Sequence, residues 1–346
     1  MTSRFLIDGN RDVILCGVIS LLRNLGGIPF PPLMDAGERR NVLKEVHTAI
    51  SDKNTEQADG FRFFAMDTVG DAEAVSLVER GLVDADFIAE REGRGLFVSG
   101  DASRSIMVNG ENHVVIRALS AGSDLPKAFE RADWLDTVLD KSLHFAFDPR
   151  LGYLTRNPAH LGTGMIASFL LHLPALADSG AVSRLSSNLL RIGMSLQNVR
   201  EPDPAAGGRV YSLINRMTMG LSEQDAVENL GGIAKQIVSQ EREAREEYLN
   251  GPSAALSVKE AVRELQTAEG LTYDGFLDRI ALVRLGIAAR LVSGAGLDAV
   301  DRLMREVQPA TLSLERGGNL TKEENAVARA AVVREALASL TADGEG

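Results

Sequence analysis

The chain has almost no cysteine. Cys16 is the only one in 346 residues, which excludes an internal disulfide framework and suits a reducing compartment. No apolar run approaches the roughly 18 to 20 residues of a bilayer-spanning helix, so no membrane span is expected. Lys/Arg-rich runs are missing too, and 48 acidic residues outnumber 37 basic ones for a net charge of −11. A general binder of nucleic acid or of an anionic membrane is therefore not expected. His144, His160 and His172 are widely spaced, with no Cys or Asp partners at ligand spacing, and no metal site is expected. Acidic residues close to the short N-terminal apolar run give a layout unlike a signal peptide, and the expected location is cytoplasmic. There is no internal repeat and no long low-complexity segment.

What remains is ordinary soluble-protein material. Apolar residues make up 45% and charged residues 25% of the chain, enough to build one large domain or a core with a smaller second domain. Residues 12–20 form a β-branched apolar run, expected as a buried strand leading into Leu21–Leu25, and the Gly/Pro-rich segment 26–32 breaks it. Ala36–Ser51 has helical spacing. Phe61–Met66, Gly95–Ser99, Ser103–Asn109 and His113–Leu119 are short strand-like runs, with Asn109-Gly110 as a tight turn. Pro126–His144 reads as an amphipathic helix with Phe129, Ala132, Leu135, Val138, Leu139 and Leu143 inward. Met165–Leu176 is expected to be a buried helix that starts after the Gly162-Thr163-Gly164 turn.

Beyond a polar Pro/Gly loop at 200–208, a long charged helix spans roughly Ser222–Leu249 and ends at Asn250-Gly251-Pro252. About four helices follow, then a frayed tail from Thr341. The expected domains are 1–250, of catalytic type, and 253–346, all-helical.

The most specific stretch lies between Ser105 and Leu176. It reads S-I-M-V-N-G-E-N-H-V-V-I-R-A, then from Phe145 F-A-F-D-P-R-L-G-Y-L-T-R-N-P-A-H-L-G-T-G-M-I-A-S-F-L-L-H-L-P-A-L. Val108-Asn109, Glu111, His113, Gly152-Tyr153-Leu154-Thr155, Pro158, Gly162-Thr163-Gly164 and Ala167-Ser168 form a frame. That frame resembles the ATP:guanido phosphotransferase (phosphagen kinase) family, the creatine and arginine kinases, and most closely its bacterial protein-arginine kinase branch. Asp278–Leu291 resembles a further helix of the family, so the likeness runs from about Asp12 to Arg334. It implies an α+β fold: a phosphagen-kinase-like catalytic domain with a large, mainly antiparallel sheet flanked by helices, plus an all-helical C-terminal domain of dimerisation or phosphoarginine-binding type.

The family holds its nucleotide with arginines, whose planar fork contacts phosphate oxygens in a bidentate way and stays charged. By the resemblance, two of them align with Val18 and Ser20 of the Cys16–Asn24 strand, whose Arg23-Asn24 persist. A third aligns with Val115 and a fourth with Ile166. The fifth falls on Gln197 without a gap, or on Arg200 with a shift. A nucleotide-contacting histidine aligns with Gly81.

On the guanidinium side, the family's acidic pair and the Asp after it read Gly110-Glu111-Asn112, its cysteine is Asn157, and a second glutamate falls near Pro202. Glu111 is the one catalytic-type side chain left. In the helical segment the R-D-x-x-R-A phosphoarginine motif reads N-A-x-x-R-A, leaving Arg329 as a remnant after Asn325 and Ala326.

Plainer roles stand beside these. Glu111 is also read as a solvated carboxylate, His113 as a hydrogen-bonded structural residue and Gly162-Thr163-Gly164 as a helix start. Cys16 is read as an inert buried thiol, and Asp148, Tyr153 and Leu171–Leu176 as residues that hold the fold.

The expected function is that of a degenerate protein-arginine-kinase homologue, catalytically inactive, acting as a regulatory or binding partner in protein arginine phosphorylation. Its partner would be a protein or an arginine-bearing protein substrate, with homo- or heterodimerisation. No cofactor is expected, and ATP with magnesium only if the chain is active. Two alternatives stay open: an active ATP-dependent arginine kinase with a rebuilt nucleotide site, drawing on Arg23, Arg80, Arg104, Arg117, Arg156, Arg200 and Arg209, and a structural oligomer subunit.

Overall fold

The computed structural model describes residues 9–51, 60–199, 209–251, 253–318 and 320–342. In chain order the elements begin with β1 (Ile14–Arg23), α1 (Ala36–Ser51), β2 (Phe61–Ala65), α2 (Asp71–Glu79) and α3 (Ala85–Ala89). Next come β3 (Gly95–Ser99), β4 (Arg104–Val108), β5 (Val114–Ala121) and α4 (Leu125–Leu143). A short hairpin of β6 (Phe147–Asp148) and β7 (Gly152–Tyr153) precedes β8 (Met165–His172). Then follow α5 (Pro174–Asp178), α6 (Ala181–Arg191), β9 (Met194–Asn198) and β10 (Val210–Asn215). The remainder is α7 (Glu223–Leu249), α8 (Ala254–Thr267), α9 (Tyr273–Ala288), β11 (Val292–Ser293), α10 (Leu297–Glu306), α11 (Pro309–Glu315), α12 (Lys322–Ala336) and β12 (Thr341–Ala342).

One eight-stranded sheet has the order β2-β3-β4-β5-β1-β8-β10-β9. Its β2/β3, β3/β4, β4/β5 and β5/β1 pairs are antiparallel. Residue register places Leu22 opposite Val115, Ser20 opposite Arg117 and Val18 opposite Leu119. Side chains alternate faces along a strand, so these six share one face of the sheet.

The chain divides into two compact units. One comprises Cys16–Ser168 with Ile214–Gly232; the other Met1–Leu15, Phe169–Leu213 and Ile233–Gly346. In the first, α1 buries Val42, Val46, Ala49 and Ile50. Asp35 and Glu38 cap it reciprocally, with Glu38 N donating to Asp35 Oδ1 (2.8 Å) and Asp35 N to Glu38 Oε2 (2.9 Å). Helix α4 buries Leu125, Ala128, Ala132, Leu135, Asp136, Leu139 and Leu143, while Phe129 and Val138 lie half-buried at the edge of that face. A cluster of Leu22, Met66, Leu77, Leu82, Phe87, Leu96, Met107 and Val115 fills this unit's core beside α2 and α3.

In the second unit, Val258, Leu265, Phe276, Ile280, Val283, Val300, Leu303, Val333 and Leu337 form the core of the helices. Arg284 is fully buried there. It donates to Asp301 Oδ1 (2.7 Å) and to the carbonyls of Asp12 (2.8 Å) and Arg11 (2.7 Å).

Four expectations change. Met165–His172 is a strand, not a helix, with alternating burial along most of its length, and only Pro174–Asp178 is helical. A short apolar run fits either state, and the sheet decides: Leu22 N donates to Gly164 O (2.8 Å), and Asn215 Oδ1 accepts from Ala167 N (2.6 Å). Among the described residues the helical segment holds five helices. Its tail is not frayed at Thr341–Ala342, which pairs antiparallel with Val292–Ser293. Cys16 is half-buried rather than buried.

Candidate functional site

The sequence-predicted residues of the first unit fall in two neighbourhoods. The first is the sheet face carrying the aligned nucleotide positions. Val115 is 8% exposed and belongs to the apolar cluster with Leu22 and Met107, and Ile166 packs against the same cluster. Val18 is half-buried and Ser20 buried. Gly81 follows α2 with φ +71° and is exposed.

Arg117 reaches this face beside the aligned positions. Arg117 Nε donates to Ser20 Oγ (3.3 Å) and NH1 to Gly81 O (3.3 Å), while NH2 holds both oxygens of Asp84 (2.7 and 2.9 Å). Its charge is thus already matched by a carboxylate. The sequence reading missed this link, although alternation from Val115 places Arg117 beside the Ser20 position.

A triphosphate does not fit these residues. Two of its five aligned contacts are apolar and packed, a third is apolar and half-buried, and the Arg117 guanidinium beside them is already paired with Asp84. Gln197 lies exposed on β9 in the second unit. Arg200 and Pro202 fall outside the described residues. Among the described residues no group of three or more His, Cys, Asp or Glu could hold a metal ion.

The second neighbourhood surrounds Glu111 in the loop between β4 and β5. Asn109 turns the chain there with φ +62°, and its Nδ2 donates to the carbonyls of Arg39 and Gly93 (2.8 Å each). Asn112 is 1% exposed and Asn24 2%. Asn24 Nδ2 donates to Asn112 Oδ1 (2.8 Å) and Leu154 O (2.9 Å), and its Oδ1 accepts from His113 N (2.9 Å). Asn112 Oδ1 also accepts the backbone N–H of Arg156 (3.1 Å). The Glu111 loop and the 154–157 loop are therefore clamped side by side.

His113 is fully buried. Leu25 N donates to its Nδ1 (3.0 Å), so Nε2 carries the proton and donates to Pro29 O (2.8 Å). Burial holds its pKa below the ordinary value. It is a neutral structural group, as its plainer reading has it. Asn157, at the family's cysteine position, caps a short turn by accepting from Ala159 N (3.0 Å). Glu111 itself faces Arg156, with Oε1 3.6 Å from NH1 and both side chains about half exposed. Burial also depresses the pKa of His160, and the charge of Glu111 opposes that shift.

Beneath this neighbourhood Arg23 is 1% exposed. It donates to Asp136 Oδ1 (2.8 Å) and Oδ2 (3.0 Å), Thr163 O (2.9 Å) and Glu223 Oε1 (3.3 Å), and lies over the Tyr153 ring at 3.5 Å. The Gly162-Thr163-Gly164 turn leads into a strand rather than a helix. Gly162 has φ +99°, and a Cβ there would meet Thr218 O at 2.3 Å. An open hollow of about 810 Å³ lined by Asn41, Lys44, His47 and Thr48 of α1 and Ser142 and Leu143 of α4 contains none of these residues.

In the second unit, Arg329 is 2% exposed. It donates to Val307 O (2.8 Å), Leu271 O (2.9 Å) and Asn325 Oδ1, and lies over the Tyr273 ring. Its donors tie helices together.

Comparison with known proteins places the chain. Residues 41–244 match the model of the ATP:guanido phosphotransferase C-terminal catalytic domain, and residues 257–345 that of the protein-arginine kinase McsB C-terminal domain. The chain is 33% identical to the protein-arginine kinase of Caldanaerobacter subterraneus subsp. tengcongensis over 330 residues, covering 95% of this chain and 98% of that one. It is 34% identical to that of Moorella thermoacetica, over 94% of both chains. A duplicated taurocyamine kinase from Schistosoma mansoni has the same fold, with a TM-score of 0.61 at 22% identity over 76% of this chain and 40% of that one. The chain belongs to the ATP:guanido phosphotransferase family, in its protein-arginine kinase branch.

Proposed function

We propose that this chain is a protein-arginine-kinase homologue that does not transfer phosphate and works by binding, as a regulatory or binding partner in protein arginine phosphorylation. The observation that carries this reading is the packing of Val115 and Ile166 against an apolar cluster, where the resemblance aligns phosphate-binding arginines. Phosphoryl transfer asks a protein chiefly to hold phosphates in line and to neutralise the transferring charge. Charge-assisted hydrogen bonds contribute roughly 1.5–3 kcal/mol each. Losing four of them removes transition-state stabilisation worth several powers of ten in rate.

The commitments of Arg23, Arg104, Arg117 and Arg209 count against a rebuilt nucleotide site that draws on them. Arg23 is committed to Asp136 and Glu223, and Arg117 to Asp84. Arg104 lies over the Phe61 ring, and Arg209, in the other unit, pairs with Asp178. Arg156 is the one whose ion pair is with Glu111.

The ligand of this reading is an arginine side chain of a protein, the substrate class that the relatives' name implies. Glu111 supplies the carboxylate that a guanidinium pairs with. The helical region 253–346 is the candidate dimerisation element. A phosphoarginine pocket built on Arg329 is disfavoured, because that guanidinium is spent inside the fold. Calorimetric titration of the full chain with ATP and magnesium tests the reading. No binding is expected, and a micromolar, magnesium-dependent affinity would overturn it.

A further inference from the structure

The contact between Arg156 and Glu111 joins an arginine of this chain to the carboxylate assigned above to a ligand's guanidinium. We infer that Arg156 is a tethered stand-in for that ligand, occupying Glu111 until an incoming arginine side chain displaces it. The inference rests on the reading of Glu111 as the guanidinium-binding carboxylate.

Its geometry suits a displaceable occupant. The backbone of Arg156 is fixed, because its N–H is held by buried Asn112, the residue after Glu111, and Asn24 ties Asn112 to Leu154 two residues before Arg156. Only the side chain is free to leave. Its NH1–Oε1 approach of 3.6 Å joins two half-exposed groups, a pairing of the kind that contributes little in water. The buried Arg23 pair with Asp136 is different, with two short bonds at 2.8 and 3.0 Å. An external guanidinium that set its fork on both oxygens of Glu111 would form the stronger arrangement. High local concentration favours the tethered arginine, so a ligand with further contacts competes better than one without them. Arg156 thus sets a threshold for which arginines the site accepts.

The test titrates N-acetyl-arginine amide into the full chain, followed by NMR shifts, for the parent protein, Arg156→Ala, Glu111→Gln and the double variant. Arg156→Ala keeps the backbone N–H that Asn112 holds. It is expected to bind the probe about two- to fivefold tighter, the range an exposed ion pair allows, and the gain should vanish when Glu111 is Gln. Unchanged or weaker binding by Arg156→Ala, with Glu111→Gln still weakening it, overturns the inference and leaves the reading of Glu111 standing. Binding indifferent to Glu111→Gln, or absent from both the parent protein and Arg156→Ala, overturns the reading of Glu111 and the inference with it.

Discussion

Val115 and Arg23 lie on adjacent strands of one sheet and have opposite fates. Arg23 is accommodated in the interior because Asp136, Glu223, the Thr163 carbonyl and the Tyr153 ring surround it. Burial raises the pKa of Asp136, and Arg23 opposes that shift, so each group makes the other tolerable. Val115 has no such partner: it packs among Leu22, Met107 and the other members of its cluster. Val115→Arg, which restores the residue type the resemblance assigns there, is expected to destabilise the fold by about 3–5 kcal/mol, the cost of an uncompensated buried charge. Denaturant unfolding of the variant checks this, and an unchanged midpoint would mean that the site can admit a cation. At this scale the resemblance names Val18, Ser20, Val115 and Ile166 from the sequence, and the register puts Val18, Ser20 and Val115 on one face of the sheet. The Asn24–Asn112–Arg156 clamp was not legible, because a polar residue's partner 44 or 88 positions away leaves no periodic trace.

Elements were read well where one periodicity dominated. Ala36–Ser51 is a helix over that whole span, and Gly95–Ser99 a strand. Met165–His172 reads as a helix because Ile166 and Leu170 are apolar on the face opposite Met165, Ala167, Phe169 and Leu171, so alternation is blurred in the sequence and visible as burial in the sheet. Contacts between elements are harder still, as α7 and α5 show. Glu241 of α7 is fully buried, and its carboxylate accepts the N–H groups of Ala175 and Leu176 (3.0 Å each) at the start of α5.

Burial pushes the pKa of Glu241 up to about 7, against the lowering effect of those two bonds and of Arg245. Between about pH 4.5 and 7 the folded chain holds a proton that the unfolded chain has released. The stability from protonated Glu241 is therefore full below about pH 4.5 and is lost as pH rises through 7. The total is about 3 kcal/mol. In Glu241→Gln that component of the pH dependence should disappear. Denaturant midpoints of both proteins at pH 5 and pH 8 measure it, and equal slopes in the two would contradict the assignment.

For the whole molecule, a kinase-type sheet and a helical segment are present, and two positions that the resemblance aligns with phosphate-binding arginines, Val115 and Ile166, pack in or against an apolar cluster. The family was legible because glycines and apolar frame residues are fixed by backbone geometry. Gly162, with φ +99° and the Thr218 carbonyl in the way of any Cβ, admits no other residue without strain. Whether the chain keeps chemistry depends on a handful of charges, which the proposed reading takes to be lost. The central claim is that this frame no longer transfers phosphate. Its most direct test is transfer from γ-labelled ATP to an arginine-rich protein, using the full chain with Glu111→Ala alongside. The account predicts no labelling by either protein. Acid-labile labelling by the parent chain that disappears in Glu111→Ala would contradict it.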